Sequence, residues 1–261
     1  MTMDKIRGRR ILLDPLGGLY NDERVREWLY QKKPVAGTPS DIITSEIAAT
    51  SYDILRVVGA DIFATRCMRR SHSEIGESRQ PLFHESAGQY LRYARMRPSL
   101  RTSKTEEHLP QEVWDQGQTA LEKDQNARIN FARHIGAEVV VAIDITNYAT
   151  DEGLEVRHNG VDDARGLAES ILRETAKRTR RKPKPVGPLL DEEKAYSVLG
   201  VPVVILNCGS VFDPFTARLL RNVWYRELVS LGVFSGLWKH YVLNSTEGEL
   251  SQAPEVTTVG K

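Results

Sequence analysis

The sequence predicts an α/β domain with a mostly parallel, twisted β-sheet and helices on both faces. Three observations lead to this fold class: short apolar runs typical of strands, amphipathic stretches typical of helices, and a regular alternation of the two. The run VVVAIDI is almost wholly apolar and β-branched, which predicts a central strand covered on both faces. The predicted strands are Ile11–Leu13, Ile62–Ala64, Val139–Ile145, Leu154–Val156 and Val203–Leu206.

Helices are predicted between and after these strands. Ser40 or Asp41 can cap the first helix, whose apolar residues repeat at helical spacing as far as Val57. The second predicted helix ends at Gly136, the residue type favoured just past a helix end. The predicted ranges are residues 40–57, 126–135, 161–180, 215–220 and 223–238.

Length and composition are those of one large folded domain spanning residues 1–261. With 36 Lys and Arg against 35 Asp and Glu, the net charge of +1 gives no reason to expect a nucleic-acid partner. Two cysteines, Cys67 and Cys208, cannot form a disulfide framework and are predicted to be buried small hydrophobic residues. No apolar run approaches the roughly 20 residues of a membrane span, and the N-terminus does not have the pattern of a signal peptide. Synthesis in the cytoplasm is therefore expected.

Two segments interrupt the alternation. Residues 66–125 lack a strong strand signal and are predicted to form a mostly helical insertion or lid within the domain. Its basic residues Arg92, Arg95, Arg97 and Arg101 recur at short steps, so we expect them to contact an acidic partner or an anionic polymer. The basic run KRTRRKPK at residues 177–184 is predicted to be an exposed linker, with an anionic surface as its alternative partner.

Four motifs, in order along the chain, resemble the zinc-dependent N-acetylmuramoyl-L-alanine amidases that cut peptidoglycan. The resemblance covers most of the chain outside residues 66–125 and implies the α/β fold of that family. The motifs are ILLDPLGG at residues 11–18, SEIAATSYDIL at residues 45–55 with the following VGADIFATR, ARINFARHIGAEVVVAIDITN at residues 127–147, and VLGVPVVILNCGSVFDP at residues 198–214.

The resemblance also assigns four active-site positions. The family binds zinc through His, Glu and His and activates the metal-bound water with a second Glu. In this sequence Leu16 stands at the first histidine position, Glu46 at the glutamate, Asp144 at the second histidine, and Asn207 at the catalytic glutamate. Leucine has no lone pair for a metal, and an amide cannot take a proton from water. The expectation is a pseudoenzyme without zinc or other cofactor, which binds the cell wall or serves as a structural protein.

Several alternatives remain open from the sequence. As a structural protein, the pseudoenzyme would be a component of a virion or an injection machine. The alternatives to a pseudoenzyme are an active but divergent amidase and an intracellular module that binds protein partners. An active amidase would need a repaired zinc site, for which His72, His84 and His108 are available, although their spacing matches no metal motif. Asp14 is expected to order the turn that follows it rather than to take part in chemistry.

Overall fold

The computed structural model describes residues 6–16, 40–65, 120–146, 153–210 and 213–243, and these form a single sheet flanked by helices. The strand order is β2-β1-β3-β6-β4-β5. The strands are β1 (Arg10–Pro15), β2 (Asp61–Ala64), β3 (Val139–Thr146), β4 (Glu155–His158), β5 (Gly187–Pro188) and β6 (Val203–Ser210).

The sheet is mostly parallel, as predicted. Strand β1 pairs in parallel with both β2 and β3, and β3 pairs in parallel with β6. Strand β4 is the exception, because it runs antiparallel to β6. The two-residue strand β5 was not predicted, since Gly187 and Pro188 carry no strand pattern and are recognised as a strand by their pairing with β4. We call the end of the sheet where β1, β3 and β6 finish the carboxyl edge.

The helices agree closely with the predicted ranges. They are α1 (Ser40–Val57), α2 (Ala120–His134), α3 (Ala164–Thr179), α4 (Pro214–Arg221) and α5 (Val223–Trp238), followed by a π-helical turn over Lys239–Leu243. Helix α2 begins at Ala120 rather than at the predicted residue 126, inside the range assigned to the insertion. A 3₁₀ helix over Asp191–Val198 was not predicted, because its sequence DEEKAYSV has no apolar stripe.

The helices cover the two faces of the sheet as predicted. Helices α1, α3 and α5 form one layer: the Ser230 hydroxyl on α5 donates to the Ile47 carbonyl on α1 at 3.0 Å, and the Ser170 hydroxyl on α3 donates to the Gly236 carbonyl on α5 at 3.0 Å. Helix α2 and the 3₁₀ helix cover the other face, where Arg128 and Tyr196 both reach Asp14 of β1. Strand β3 lies between these layers, and its residues 139–143 are completely buried.

The structure bears on the predictions for the cysteines, for membrane-spanning helices and for the basic residues of the insertion. Cys208 is a buried free cysteine, as predicted. Within the described ranges no helix is long and apolar enough to cross a membrane. The arginines Arg92, Arg95, Arg97 and Arg101 lie outside the described residues, as do Cys67 and the three histidines of the insertion.

Helices α3 and α5 approach each other closely at two glycines of α5. A Cβ atom built on Gly232 would lie 2.5 Å from the Thr175 Cα, and one built on Gly236 would lie 2.5 Å from the Ile171 Cα. Both contacts are with backbone atoms, so no side-chain rotation can relieve them. The absence of a side chain at these two positions therefore sets the spacing of the helices.

We expect Gly236→Ala to destabilise the protein by about 1–3 kcal/mol, the range for overpacking a tight contact. Alanine is intrinsically better than glycine in a helix by about 1 kcal/mol, but here the clash with Ile171 outweighs that gain. Urea unfolding would measure the change. Gly200→Ala is the matched control, because a Cβ atom there meets nothing within 4 Å. Equal stability of the two variants would show that the helices can move apart freely.

Candidate functional site

A row of polar side chains lies along the carboxyl edge of the sheet. Asp144 on β3 is the register partner of Asn207 on β6, and Asn207 is in turn the partner of Glu155 on β4. Side chains of register partners project from the same face of a sheet, so these three residues are neighbours. The structure therefore brings together Asp144 and Asn207, two of the positions that the sequence assigned to the site.

Leu16 lies at the same edge, immediately after β1. Its backbone N–H donates to the Ile143 carbonyl at 2.8 Å, and its own carbonyl accepts a hydrogen bond from the Thr44 hydroxyl at 2.8 Å. The side chain is partly buried and packs against the hydrophobic core. Leu16 thus places an apolar group beside β3, where the resemblance to the amidases puts a histidine.

Asn207 uses its amide to shape the end of its own strand. The Asn207 Oδ1 accepts a hydrogen bond from the Gly209 N–H at 2.8 Å, and the side chain is buried. Between the pairs Asp144–Asn207 and Thr146–Ser210 strand β6 contains one extra residue, which is a β-bulge. Gly209 adopts a φ of 116°, a conformation that favours glycine. The Asn207 amide therefore bonds a backbone group two residues further along its own strand.

Glu46 lies in the helical layer on the opposite face from Asp144. It forms an ion pair with Arg226 of α5, with 2.7 Å between the Glu46 Oε2 and the Arg226 Nη2. The same guanidinium donates from Nη1 to the carbonyls of Leu220 and Arg221 at 2.8 and 2.9 Å. Glu46 therefore anchors α1 to the junction of α4 and α5.

A buried arginine stands at the centre of the polar row. Arg157 of β4 is only 3% exposed, and its guanidinium binds Glu193 of the 3₁₀ helix through Nε at 2.9 Å and Nη2 at 2.5 Å. Glu155 lies 3.2 Å from Nη1, and Asp144 lies 3.6 Å from Nη2. Burial alone would lower the pKa of Arg157, but the hydrogen bonds to Glu193 and the surrounding carboxylates raise it above its usual value. One fixed positive charge is therefore shared by three carboxylates.

Asp144 is the most perturbed of these acids. The pKa of Asp144 is raised to about 6, chiefly because burial desolvates the carboxylate. The positive charge of Arg157 lowers this pKa, and the negative charge of Glu193 raises it further. Its side chain remains 23% exposed, so it is accessible from solvent at the edge. An accessible acid that titrates near neutral pH is a common feature of functional sites.

A second buried polar cluster lies next to the first, around Asp14 of β1. The carboxylate accepts hydrogen bonds from the Thr65 hydroxyl at 2.6 Å, from the Tyr196 hydroxyl and from the Arg128 guanidinium. Arg128 also donates to the Pro15 carbonyl at 3.2 Å, so it binds the end of β1 at two points. Asp14 is thus held by partners that the sequence did not suggest, and the turn that it is expected to order lies outside the described residues.

Solved structures of several N-acetylmuramoyl-L-alanine amidases are similar to this chain. The CwlD amidase of Clostridioides difficile, solved in complex with the GerS lipoprotein, matches with a TM-score of 0.58 and 15% identity over 90% of this chain and 100% of its own. Ami1 of Mycobacterium smegmatis matches with a TM-score of 0.59 and 12% identity over 90% and 98% of the two chains. The catalytic domain of CwlV from Paenibacillus polymyxa matches with a TM-score of 0.54 and 11% identity, covering 89% and 97%.

The chain has the N-acetylmuramoyl-L-alanine amidase fold. This confirms the fold that the four sequence motifs implied. No protein-family model matches the sequence, and no curated protein matches it either. At identities of 11–15% the likeness establishes the fold alone, so the chemistry of this amidase-fold chain has to be argued from its own residues.

The side chains at the four assigned positions do not fit a zinc ion. Leu16 offers no ligand atom, and Asn207 uses its oxygen on the Gly209 backbone. Asp144 faces the Arg157 guanidinium, and the Glu46 carboxylate faces Arg226. Among the described residues no three His, Cys, Asp or Glu side chains are grouped as ligands of a metal would be.

The sequence did not identify the basic partners in these clusters. Arg157, Arg128 and Arg226 each neutralise an acid that is far away in the chain, so no local spacing connects the two. One signal was available for Arg157, because the alternation of the strand EVRH turns Glu155 and Arg157 to the same face. Glu193 and Tyr196 are three residues apart, which places them on one side of a 3₁₀ helix, but that helix was not predicted.

We expect Glu193→Gln to destabilise the fold by about 3 kcal/mol, because it removes the closest partner of the buried Arg157 charge. Urea unfolding at neutral pH measures the effect. Glu192→Gln is the matched control, with the same charge change on the neighbouring exposed residue, and should alter stability by less than about 0.5 kcal/mol. A similar loss of stability in both variants would mean that the change in net charge, rather than loss of the buried ion pair, destabilises the protein.

The raised pKa of Asp144 predicts a particular dependence of stability on pH. In the folded protein Asp144 holds its proton up to a pH of about 6, well above its ordinary pKa of 3.8. The folded state therefore binds more protons than the unfolded state between these values, and the Asp144 contribution to stability falls as pH rises through this window. Asparagine does not titrate, so the Asp144→Asn variant lacks this pH-dependent loss of stability.

The stability of the Asp144→Asn variant relative to the natural chain should increase by about 1–3 kcal/mol between pH 4 and pH 7.5. Denaturant unfolding of both proteins at the two pH values measures this double difference. Asp162→Asn, at an exposed acid before α3, provides the control and should show no comparable change. A constant stability difference between the natural chain and the Asp144→Asn variant across this range would mean that Asp144 titrates normally.

Proposed function

We propose that this chain is a non-hydrolytic relative of the peptidoglycan amidases, which binds the cell wall at the carboxyl edge of its sheet. The proposal combines the amidase fold with the side chains that occupy the edge. Ligands of α/β proteins commonly bind outside the carboxyl ends of parallel strands, where Asp144 is accessible. The partner proposed is therefore a peptidoglycan fragment.

The observation that carries the proposal is the position of Arg157. Its guanidinium is buried between Asp144, Glu155 and Glu193, the carboxylates that a cation at this edge would otherwise attract. A divalent metal placed among them would have to compete with the Arg157 guanidinium for these carboxylate oxygens, and none of the three is joined by an imidazole ligand from the described residues. Without a metal-bound water, hydrolysis of an amide loses its nucleophile at neutral pH.

The absence of a base at Asn207 supports the same conclusion. A general base contributes about 10²–10⁴-fold to the rate, and an amide cannot accept the proton. The Asn207 oxygen is also committed to the Gly209 N–H, so it has a structural role at the end of β6. The chain retains the framework of the site with side chains that bind or support rather than cleave.

One observation favours a second candidate, a divergent amidase. Asp144 has a pKa of about 6 and is partly exposed, which suits a general base near neutral pH. In this candidate Asp144, rather than the residue at position 207, takes the proton from water. A role for the chain inside a larger assembly, such as a virion or an injection machine, is a further proposal. The GerS complex of CwlD gives an example of a similar fold bound to a protein partner.

The test uses the purified full chain and insoluble peptidoglycan. We expect the protein to sediment with the peptidoglycan, to release no soluble fragments, and to contain far less than one zinc per chain after dialysis. Asp144→Asn should weaken sedimentation several-fold, whereas the matched control Asp162→Asn, away from the carboxyl edge, should not.

Three outcomes would contradict the proposal. Chelator-sensitive release of fragments by a protein with one tightly bound zinc would identify an active zinc amidase. Release that is insensitive to chelators and lost in Asp144→Asn would support the divergent amidase. Failure to sediment, combined with no hydrolysis, would leave a protein partner as the ligand and reject binding to the cell wall.

A further inference from the structure

A second polar site lies at the carboxyl edge, on the face of the sheet opposite Asp144. Here the end of α3, the first turn of α4 and the first turn of α5 come together. Arg181 follows α3 and reaches α4, where its Nη2 donates to the Thr216 hydroxyl at 2.8 Å. Thr216 packs in turn against Gly209, two residues beyond Asn207. The site is therefore connected to the end of β6.

Arg181 is a buried cation with an unused donor. The residue is 9% exposed, and the Phe215 ring covers its guanidinium at 5.4 Å from the ring centroid. Its Nε is buried and has no hydrogen-bond partner among the residues that the structure describes. Within the described ranges no carboxylate forms an ion pair with it, in contrast to Arg128, Arg157 and Arg226.

One acid, Asp213, interacts electrostatically with Arg181, but its carboxylate already caps a helix. Asp213 caps α4 by accepting a hydrogen bond from the Thr216 N–H at 2.8 Å, and hydrogen bonding to Thr216 is the main reason that the pKa of Asp213 is lowered. The charge of Arg181 contributes to that lowering, but the two side chains do not form an ion pair. Asp213 therefore reduces the positive potential around Arg181 without satisfying its donors.

The surroundings of Arg181 offer further donors and positive charge. The buried hydroxyl of Tyr225, at the start of α5, also has no hydrogen-bond partner in the described part of the chain, and burial raises the pKa of Tyr225, so that it stays protonated. Arg180 and Lys182 flank Arg181 in the chain, and both are exposed. Neither forms an ion pair within the part of the chain that the structure describes. A negatively charged group approaching this surface would meet an attractive field.

We propose that Arg181 is the centre of an oxyanion-binding site, which takes a carboxylate or phosphate group of a ligand at the carboxyl edge. A buried guanidinium that has no ion-pair partner among the described residues is costly, and a bound oxyanion removes that cost by accepting from Nε. Arg180 and Lys182 supply the field that brings the anion to the site. The proposal does not depend on binding or cleavage of peptidoglycan, because it is tested with small anions alone.

The direct test follows the arginine Nε–H groups of the full chain by ¹⁵N–¹H NMR. Sodium phosphate and sodium acetate are titrated separately against sodium chloride at constant ionic strength. We expect the Arg181 Nε–H signal, assigned by through-bond correlation to its backbone, to shift saturably with at least one of the two anions. Saturation at lower phosphate concentration would identify a phosphate group as the preferred ligand, and at lower acetate concentration a carboxylate.

Thermal unfolding gives an independent measurement, because a ligand that binds only the folded state raises the Tm. Arg181→Lys keeps the charge but lacks Nε, so the anion-dependent rise in Tm should require at least about ten-fold more anion, as expected for loss of a charge-assisted hydrogen bond. Arg180→Lys is the same substitution at the exposed neighbour and should behave as the natural chain does.

Three results would overturn the proposal: an Arg181 signal that responds to phosphate and acetate no more than to chloride, an unsaturable shift, or equal Tm shifts in Arg181→Lys and the natural chain. The NMR titration uses the natural chain, so the proposal can be rejected even where the Lys variant does not fold. If the proposal is rejected, a bound water molecule, rather than an anion, accepts the hydrogen bond from Nε.

Discussion

The ion pair between Arg157 and Glu193 determines how the polar face of this protein is built. Both partners are buried, so neither charge can be solvated by water, and each requires the other. Because Glu193 binds two guanidinium nitrogens of Arg157, the pair fixes the relative orientation of the two side chains as well as the distance between them. Because Arg157 is on a strand and Glu193 is on the 3₁₀ helix, this one interaction holds the helix at a defined place over the sheet.

The same short helix is attached at a second point. Tyr196 stands one 3₁₀ turn after Glu193 and donates to Asp14 of β1, which also binds Arg128 of α2. The two polar clusters therefore connect β1, β4, α2 and the 3₁₀ helix within one layer. Burial of so many charged groups contributes little net stability by itself, but a displaced helix would leave several of them unpaired. The arrangement favours a single position of the helix.

The sequence predicted those parts of the fold that depend on local pattern. Strand β3 and helix α5 were found because their apolar residues alone indicate burial. The 3₁₀ helix and β5 were missed, since each is held by contacts with distant residues and lacks a periodic pattern of its own.

The candidate site was predictable only in part for the same reason. Motif resemblance located Leu16, Glu46, Asp144 and Asn207, but the chemistry of the acids depends on Arg157 and Arg226, which the motifs do not mark. The pKa of Asp144 likewise depends on burial and on charges from two other segments, Arg157 and Glu193. Such influences act through space and leave no regular spacing in the sequence.

The β-bulge in β6 has a consequence for the electrostatics of the carboxyl edge. One extra residue turns the strand after Asn207, so that the chain leaves toward Thr216 and Arg181 on the other face. One face of the edge then has three carboxylates around a single guanidinium, and the other has the cations of residues 180–182 with Asp213. The edge is thus electrically polarised across the thickness of the sheet. A zwitterionic molecule lying over it would be oriented, with its positive end toward Asp144 and its negative end toward Arg181.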